Sequence, residues 1–203
     1  MTTLTTIDAA SLRAAFFRWA DAMERAAPEL NELDSRLGDG DLGVTLAKCA
    51  EKVRAAITTA TDTVPDLLNL ASHACAEASG SSFGTLMASG LLSASKWLEN
   101  GKVLDKDSLP GLFKHVVQKL CLRGGASLGD KTMLDALQAI AIAVEMAPPG
   151  QHLAEVARSA TAKALDEFRF KPNRVGRARM FADKSVGLDD PGMVAVLRMT
   201  QIL

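Results

Sequence analysis

The sequence contains no tyrosine, two tryptophans and seven phenylalanines, so aromatics make up only 4% of its 203 residues. A sheet would draw on aromatic and β-branched side chains, whereas the high Ala and Leu content points to helices. Excess charge is missing too. Lys and Arg number 23 against 24 Asp and Glu, a net charge of −1. The chain as a whole therefore offers no polycationic footprint for nucleic acid, and any charge-driven binding has to be local. Cysteine is scarce: Cys49, Cys75 and Cys121 are odd in number, far apart and never in a Cys-x-x-Cys spacing. That pattern excludes a disulfide framework and a cysteine zinc site. It leaves three small hydrophobes on helical apolar faces.

Long hydrophobic runs are absent as well. The longest uncharged stretch, 78–95, has ten Ser, Thr or Gly among its eighteen residues, too polar a run to span a bilayer. Residues 1–8 have neither a basic start nor an apolar stretch, so no secretory signal is expected and the chain reads as cytoplasmic, without a membrane partner. With 48% hydrophobic and 23% charged residues, 1–203 reads as one ordinary globular domain.

What is present is helical periodicity. Leu12, Phe16, Trp19, Met23 and Ala27 recur at helical spacing, and Pro28 is expected to break that register, leaving a short helical piece beyond it. A second pattern, Leu46, Cys49, Val53 and Ile57, follows Gly43. Others run over 66–78, 83–98, 109–122, 132–146, 153–168 and 191–202. Eight helices without a convincing strand predict an all-α domain. Glycine and carboxylate cluster between helices, in 38–45, 79–85 and 123–132, and a fourth irregular stretch, 169–190, is basic.

The first of these loops, Gly38-Asp39-Gly40-Asp41-Leu42-Gly43, formally matches the Gly-x-Gly-x-x-Gly of a dinucleotide fold. No buried strand precedes it, and two aspartates would repel a pyrophosphate unless a cation stood between them. Together with Asp34 from the preceding helical turn, Asp39 and Asp41 supply three hard oxygen ligands, a set that suits Mg²⁺ shared with substrate phosphates. The N–H groups of Gly43, Val44 and Thr45 would face the same phosphates from the next helix start. A calcium EF-hand is excluded, because Val44 and Ala50 stand where Gly and a bidentate Glu are needed. The alternative is simple capping of the helix by Asp39 and Asp41.

The second loop, Ser79-Gly80-Ser81-Ser82-Phe83-Gly84-Thr85, has hydroxyls and small residues that either admit a phosphate or ribose or let two helices pack closely. In the third, Gly124 and Gly129 have P-loop spacing, but Asp130 intrudes ahead of Lys131 and Thr132 and no strand precedes it. It is no Walker A motif. Asp130 is expected to cap the following helix and Lys131 to form an ion pair. Over 169–184, six basic residues accompany one acidic residue, a local anion-binding surface suited to a lid over phosphates or to docking. It lacks the interleaved aromatics of a nucleic-acid site. His73, His115 and His152 lie on helices away from these loops. No Ser, Cys or Lys is visibly paired with a base, so a group that activates a substrate hydroxyl is missing.

On these residues the chain resembles the nucleotide-binding L subunit of dihydroxyacetone kinases. The resemblance rests on Leu33-Asp34 with Gly38-Asp39-Gly40-Asp41, on Ala78-Ser79-Gly80 with Phe83-Gly84-Thr85, on Arg123-Gly124 with Gly129-Asp130-Lys131-Thr132-Met133, and on Gly176-Arg177-Ala178 with Ser185-Val186-Gly187 and Asp190-Pro191-Gly192. It implies eight antiparallel amphipathic helices closed into a barrel, with a nucleotide across the loops at one end. It further implies that Asp34, Asp39 and Asp41 hold two Mg²⁺ ions on the phosphates of ADP or ATP. Leu42, Gly43, Val44, Thr45, Ala78, Ser79, Gly124, Met133, Arg177, Asp190, Pro191 and Gly192 would surround the nucleotide. In this family the substrate sits on a separate subunit or domain, as a covalent hemiaminal on a histidine, in keeping with the missing activating group. Leu42 departs from the His that family members often carry there, and Ser81-Ser82 from a Pro-apolar pair.

The chain is accordingly expected to be the phosphoryl-transfer subunit of a kinase for dihydroxyacetone or a similar short hydroxyketone, active only with its substrate-binding partner. Mg²⁺ and a catalytic Arg177 would stabilise charge on the phosphoryl group in flight. Either ATP turns over, or ADP stays bound and is rephosphorylated by a phosphotransferase-system protein. The rival is a nucleotide-loaded regulatory subunit that binds a transcription factor or carrier protein without catalysis.

Overall fold

The computed structural model describes residues 6–58, 61–99 and 101–202. Among them are eight α-helices, one 3₁₀ helix and no strand. The helices are α1 Ala9–Leu37, α2 Leu42–Ala56, α3 Val64–Ala78, α4 Ser82–Leu98, α5 Leu109–Gly124, α6 Met133–Met146, α7 Leu153–Arg169 and α8 Pro191–Thr200, with the 3₁₀ helix at Arg177–Ser185. The all-α reading holds. Of the residues read for a signal, 1–5 lie outside the described residues. No helix among the described residues is long and apolar enough to cross a membrane.

Periodicity translates directly into burial. Leu46, Cys49, Val53 and Ile57 are all fully buried, one stripe of α2 turned to the core. Side chains start several helices: Asp8, Thr63, Ser81, Thr132 and Asp190 each accept a backbone N–H at an N-terminus, satisfying donors that have no intrahelical partner.

Pro28 does not break α1, which runs through it to Leu37. Proline removes one hydrogen bond, to the carbonyl of Glu24, and interior proline costs about 3 kcal/mol. Both residues are exposed, on the side of the helix where a freed carbonyl can be hydrated at least cost. Continuing the helix beyond it buries Leu30 and Leu37, each worth about 1.5–3 kcal/mol. Burial wins.

Each helix packs on the next in the chain, and α8 packs on α1, α6 and α7, which closes the ring. The main core fills it, with Met23, Leu30, Leu46, Leu134 and Met193 at its centre. Helices joined by short links to packed neighbours alternate in direction. The α1–α2, α3–α4, α5–α6 and α7–α8 links therefore emerge at one end, which is where the sequence concentrates its glycines and carboxylates.

Candidate functional site

A cleft of about 710 Å³ opens at that end, and all four links contribute to its wall. Small residues let the elements meet. A Cβ on Gly192 would lie 3.4 Å from the Phe83 ring and 3.6 Å from Met133 Cβ, and one on Gly124 would lie 3.3 Å from Leu86. The start of α8 thus sits against α4 and α6, giving the cleft an apolar side of Phe83, Leu86 and Met133.

The lining also carries an acidic rim. Carboxylate oxygens of Asp34, Asp39 and Asp41 lie within 4.8 Å of one another. Asp34, in the last turn of α1, is pinned: its Oδ2 accepts the N–H groups of Asp41 at 2.9 Å and Leu42 at 3.3 Å. Its Oδ1 occupies space that Gly38 leaves open, since a Cβ there would come within 2.5 Å. Asp41 is the N-cap of α2, yet its side chain makes no capping hydrogen bond. Asp39 pairs instead with Arg177, reaching over from the 3₁₀ helix. The capping alternative is thus not what either side chain does, and three like charges stand together with spare oxygens.

The start of α2 differs from expectation. Leu42 N–H is taken by Asp34, Val44 N–H donates to Asn31 Oδ1 at 3.1 Å, and Thr45 N–H donates to Asp41 O at 2.8 Å. The amides of Leu42, Val44 and Thr45 thus have partners within the protein. Gly43 serves packing: a Cβ there would lie 2.0 Å from Ala27 O, so its glycine lets α2 cross α1 closely. Leu42 lines the cleft, whereas Thr45 is buried with its Oγ1 3.4 Å from Ser79 Oγ. Ala78 and Ser79 are half-buried behind the wall; Ser79 Oγ accepts Ser81 N–H at 3.1 Å.

On the third link, Asp130 and Lys131 correct the reading made of them. Thr132 and Asp135 form the capping box of α6, while Asp130 Oδ2 accepts Ser127 N–H at 2.7 Å inside the loop. Among the described residues Lys131 makes no ion pair; its Nζ donates to three backbone carbonyls. The lysine that a P-loop would aim at phosphate is turned into the scaffold. The Asp190 carboxylate caps α8 through Met193 N–H at 2.9 Å and accepts Asn173 Nδ2 at 2.8 Å. Burial pushes its carboxyl up to about 6, against the opposing pull of those hydrogen bonds and of Lys131. Gly124, Met133, Arg177, Pro191 and Gly192 line the cleft, as do Asp34, Asp39, Asp41 and Asp190.

Asn31, Phe83, Lys131, Asp135 and Asn173 were not singled out for these roles in the sequence. A polar residue three positions before Asp34, and an acid three positions after Thr132, were the available signals for Asn31 and Asp135. No histidine lines the cleft: His73 and His115 lie within α3 and α5, and His152 sits at the start of α7. Cys49 and Cys75 are free and buried, and Cys121 is free and partly buried.

Comparison with known proteins matches this architecture. The DAK2 domain describes residues 36–203. L-erythrulose 1-kinase of Mycolicibacterium smegmatis is 31% identical over 185 residues, which cover 86% of this chain and 32% of that protein. The ADP-binding subunit DhaL of the PEP-dependent dihydroxyacetone kinase of Escherichia coli is 25% identical over 192 residues, covering 92% of this chain and 91% of that subunit. The crystal structure of the dihydroxyacetone kinase from C. freundii in complex with AMP-PNP and Mg²⁺ superposes with a TM-score of 0.74 at 23% identity, over 95% of this chain and 33% of that one. The chain thus spans about a third of the length of the erythrulose kinases it matches. With its helical ring, its cleft at one end and a family match running from Arg36 to the last residue, the chain belongs to the DAK2 domain family.

Proposed function

We propose that this chain is the ADP- or ATP-binding, phosphoryl-transferring component of a cytoplasmic kinase for dihydroxyacetone, erythrulose or a similar short hydroxyketone, working with a substrate-binding component. The observation that carries this reading is the convergence of Asp34, Asp39 and Asp41 in a cleft that is also lined by Phe83, Leu86 and Met133. Three carboxylates with unused oxygens fit a hard divalent cation and repel bare phosphate. Asp34 is held in place by two amides and by the room Gly38 leaves, so the donor set is preorganised for Mg²⁺, and two ions would share it. Bound there, Mg²⁺ would neutralise phosphate charge and polarise the phosphoryl oxygens.

The chain's own residues supply the remainder. Phe83, Leu86 and Met133 would take the base and exclude water. Arg177, already poised across the cleft at Asp39, would place its donors on the charge that develops during transfer. No imidazole lines the cleft, so the acceptor hydroxyl would be positioned and deprotonated by the partner. One relative is PEP-dependent, which supports bound ADP recharged by a phosphoprotein of the phosphotransferase system; ATP turnover is the other mode.

Calorimetry of the purified chain with ADP, in Mg²⁺ and in chelator, followed by a coupled assay with ATP and dihydroxyacetone, tests the reading. Binding should require Mg²⁺, and turnover should appear only after a substrate-binding subunit is added. Equal affinity in chelator overturns the metal assignment, and sustained turnover by this chain alone overturns the divided site.

A further inference from the structure

Lys131 has 1% of its surface exposed, and it is the one non-glycine with a positive φ, 63°, among the described residues. A buried ammonium and a left-handed backbone at a residue bearing a Cβ are both unfavourable. The hydrogen bonds show what they accomplish. Nζ donates to the carbonyls of Arg169 at 3.1 Å, Lys171 at 2.9 Å and Ser185 at 2.9 Å. Three donors meet three acceptors, an arrangement that the planar fork of an arginine would not reproduce. Arg169 ends α7 and Lys171 lies two residues beyond it, next to a helix terminus whose dipole favours a cation. Ser185 ends the 3₁₀ helix. One ammonium therefore ties together the two ends of the 170–184 loop.

Asn173 completes the neck. Its N–H donates to Ser185 Oγ at 2.8 Å, and its Nδ2 donates to Lys131 O at 2.9 Å and Asp190 Oδ2 at 2.8 Å. Midway round the loop stands Arg177, meeting Asp39 across the cleft. A loop closed at its neck samples far fewer arrangements than one hinged freely.

We infer that Lys131 is a positioning residue, the clasp that closes the neck of the 170–184 loop and so holds Arg177 over the acidic rim. The importance of Arg177 rests on the proposed function; the clasp itself does not. Arg174, Arg177 and Arg179 make trypsin a direct probe of the loop. In Lys131→Met, which keeps the stem and removes the ammonium, cleavage after these arginines well below the melting temperature should quicken about tenfold or more. The NMR relaxation of Arg177 Nε should shift from that of a held side chain to that of a mobile one. Asn173→Ala removes neck bonds while the Lys131 ammonium keeps its three carbonyls, and should quicken the same cleavages by a smaller factor, which serves if Lys131→Met does not fold. Unchanged cleavage in the folded variants, or a lowered melting temperature with unchanged Arg177 relaxation, overturns the clasp. Arg177→Ala, assayed for phosphoryl transfer with a substrate-binding subunit, judges the proposed function separately. Unchanged transfer there removes the role of Arg177 and leaves the clasp to stand or fall on the cleavage rates.

Discussion

The acidic rim at 34–41 and the basic clasp around Lys131 lie at the same end of the ring and concentrate charge in opposite ways. At the rim, three carboxylates gather with spare oxygens, and Asp41 makes no capping bond at all. At the clasp, each Lys131 ammonium donor has a carbonyl, and Asn173 Nδ2 has two acceptors. Like charges left with unused capacity mark a place that binds something; a charge whose every donor is matched marks a scaffold. The rim should therefore yield function when altered and the clasp should yield order.

The largest expected effect comes from emptying the rim. Asp39→Ala should weaken Mg-ADP binding about a hundredfold or more, since a cation held there would lose one of its three carboxylates. The melting temperature should hardly move, because Asp39 is exposed. Calorimetry and thermal melting of the same sample separate the two. A large loss of stability with affinity retained would make the rim a scaffold like the clasp.

Next comes Gly43→Ala, which attacks the support beneath the rim. The new Cβ would lie 2.0 Å from Ala27 O, a backbone atom that cannot swing away. Parting α1 from α2 should cost about 3 kcal/mol, measured by denaturant unfolding. Gly38→Ala is milder. Its Cβ would press within 2.5 Å of Asp34 Oδ1, and shifting one ligand should lower Mg-ADP affinity about tenfold. Wild-type affinity in Gly38→Ala would show that Asp34 is not held as tightly as its two amide bonds imply.

The same contrast explains what the sequence revealed. The rim was legible because its three carboxylates fall within eight consecutive positions, so local spacing brings them together. The helices were legible because Leu46, Cys49, Val53 and Ile57 repeat at the helical period. Pro28 misled because a local preference was set against burial at Leu30 and Leu37, which only the packed ring reveals. The clasp was illegible for the opposite reason: Lys131 meets carbonyls 38, 40 and 54 residues away, and backbone acceptors leave no mark in a sequence. Asp130 and Lys131 therefore read as a cap and an ion pair, although Thr132 with Asp135 supplies the cap. The likeness to dihydroxyacetone kinases gave the blocks in the right order but not the direction in which each side chain works.

The smallest expected effect tests the charge balance of the clasp through Asp190. Burial raises its carboxyl from 3.8 to about 6 in the folded chain. Between those values the folded state keeps a proton that the unfolded state has released, so stability falls as pH rises. The contribution is fully present below about pH 4 and is lost as pH passes through about 6. Between pH 5 and pH 7 the loss should be about 1 kcal/mol. Asp190→Asn keeps an oxygen for Met193 N–H and cannot titrate. Glu29, whose carboxyl is held low by Arg198, slopes the other way but is common to both proteins and cancels. Denaturant unfolding of the two proteins across this range should therefore give curves that diverge toward acid, with the wild type gaining on Asp190→Asn as pH falls from 7 to 5. Parallel curves would mean that Asp190 stays ionised throughout, its charge held by Lys131 and Asn173 more firmly than burial opposes it.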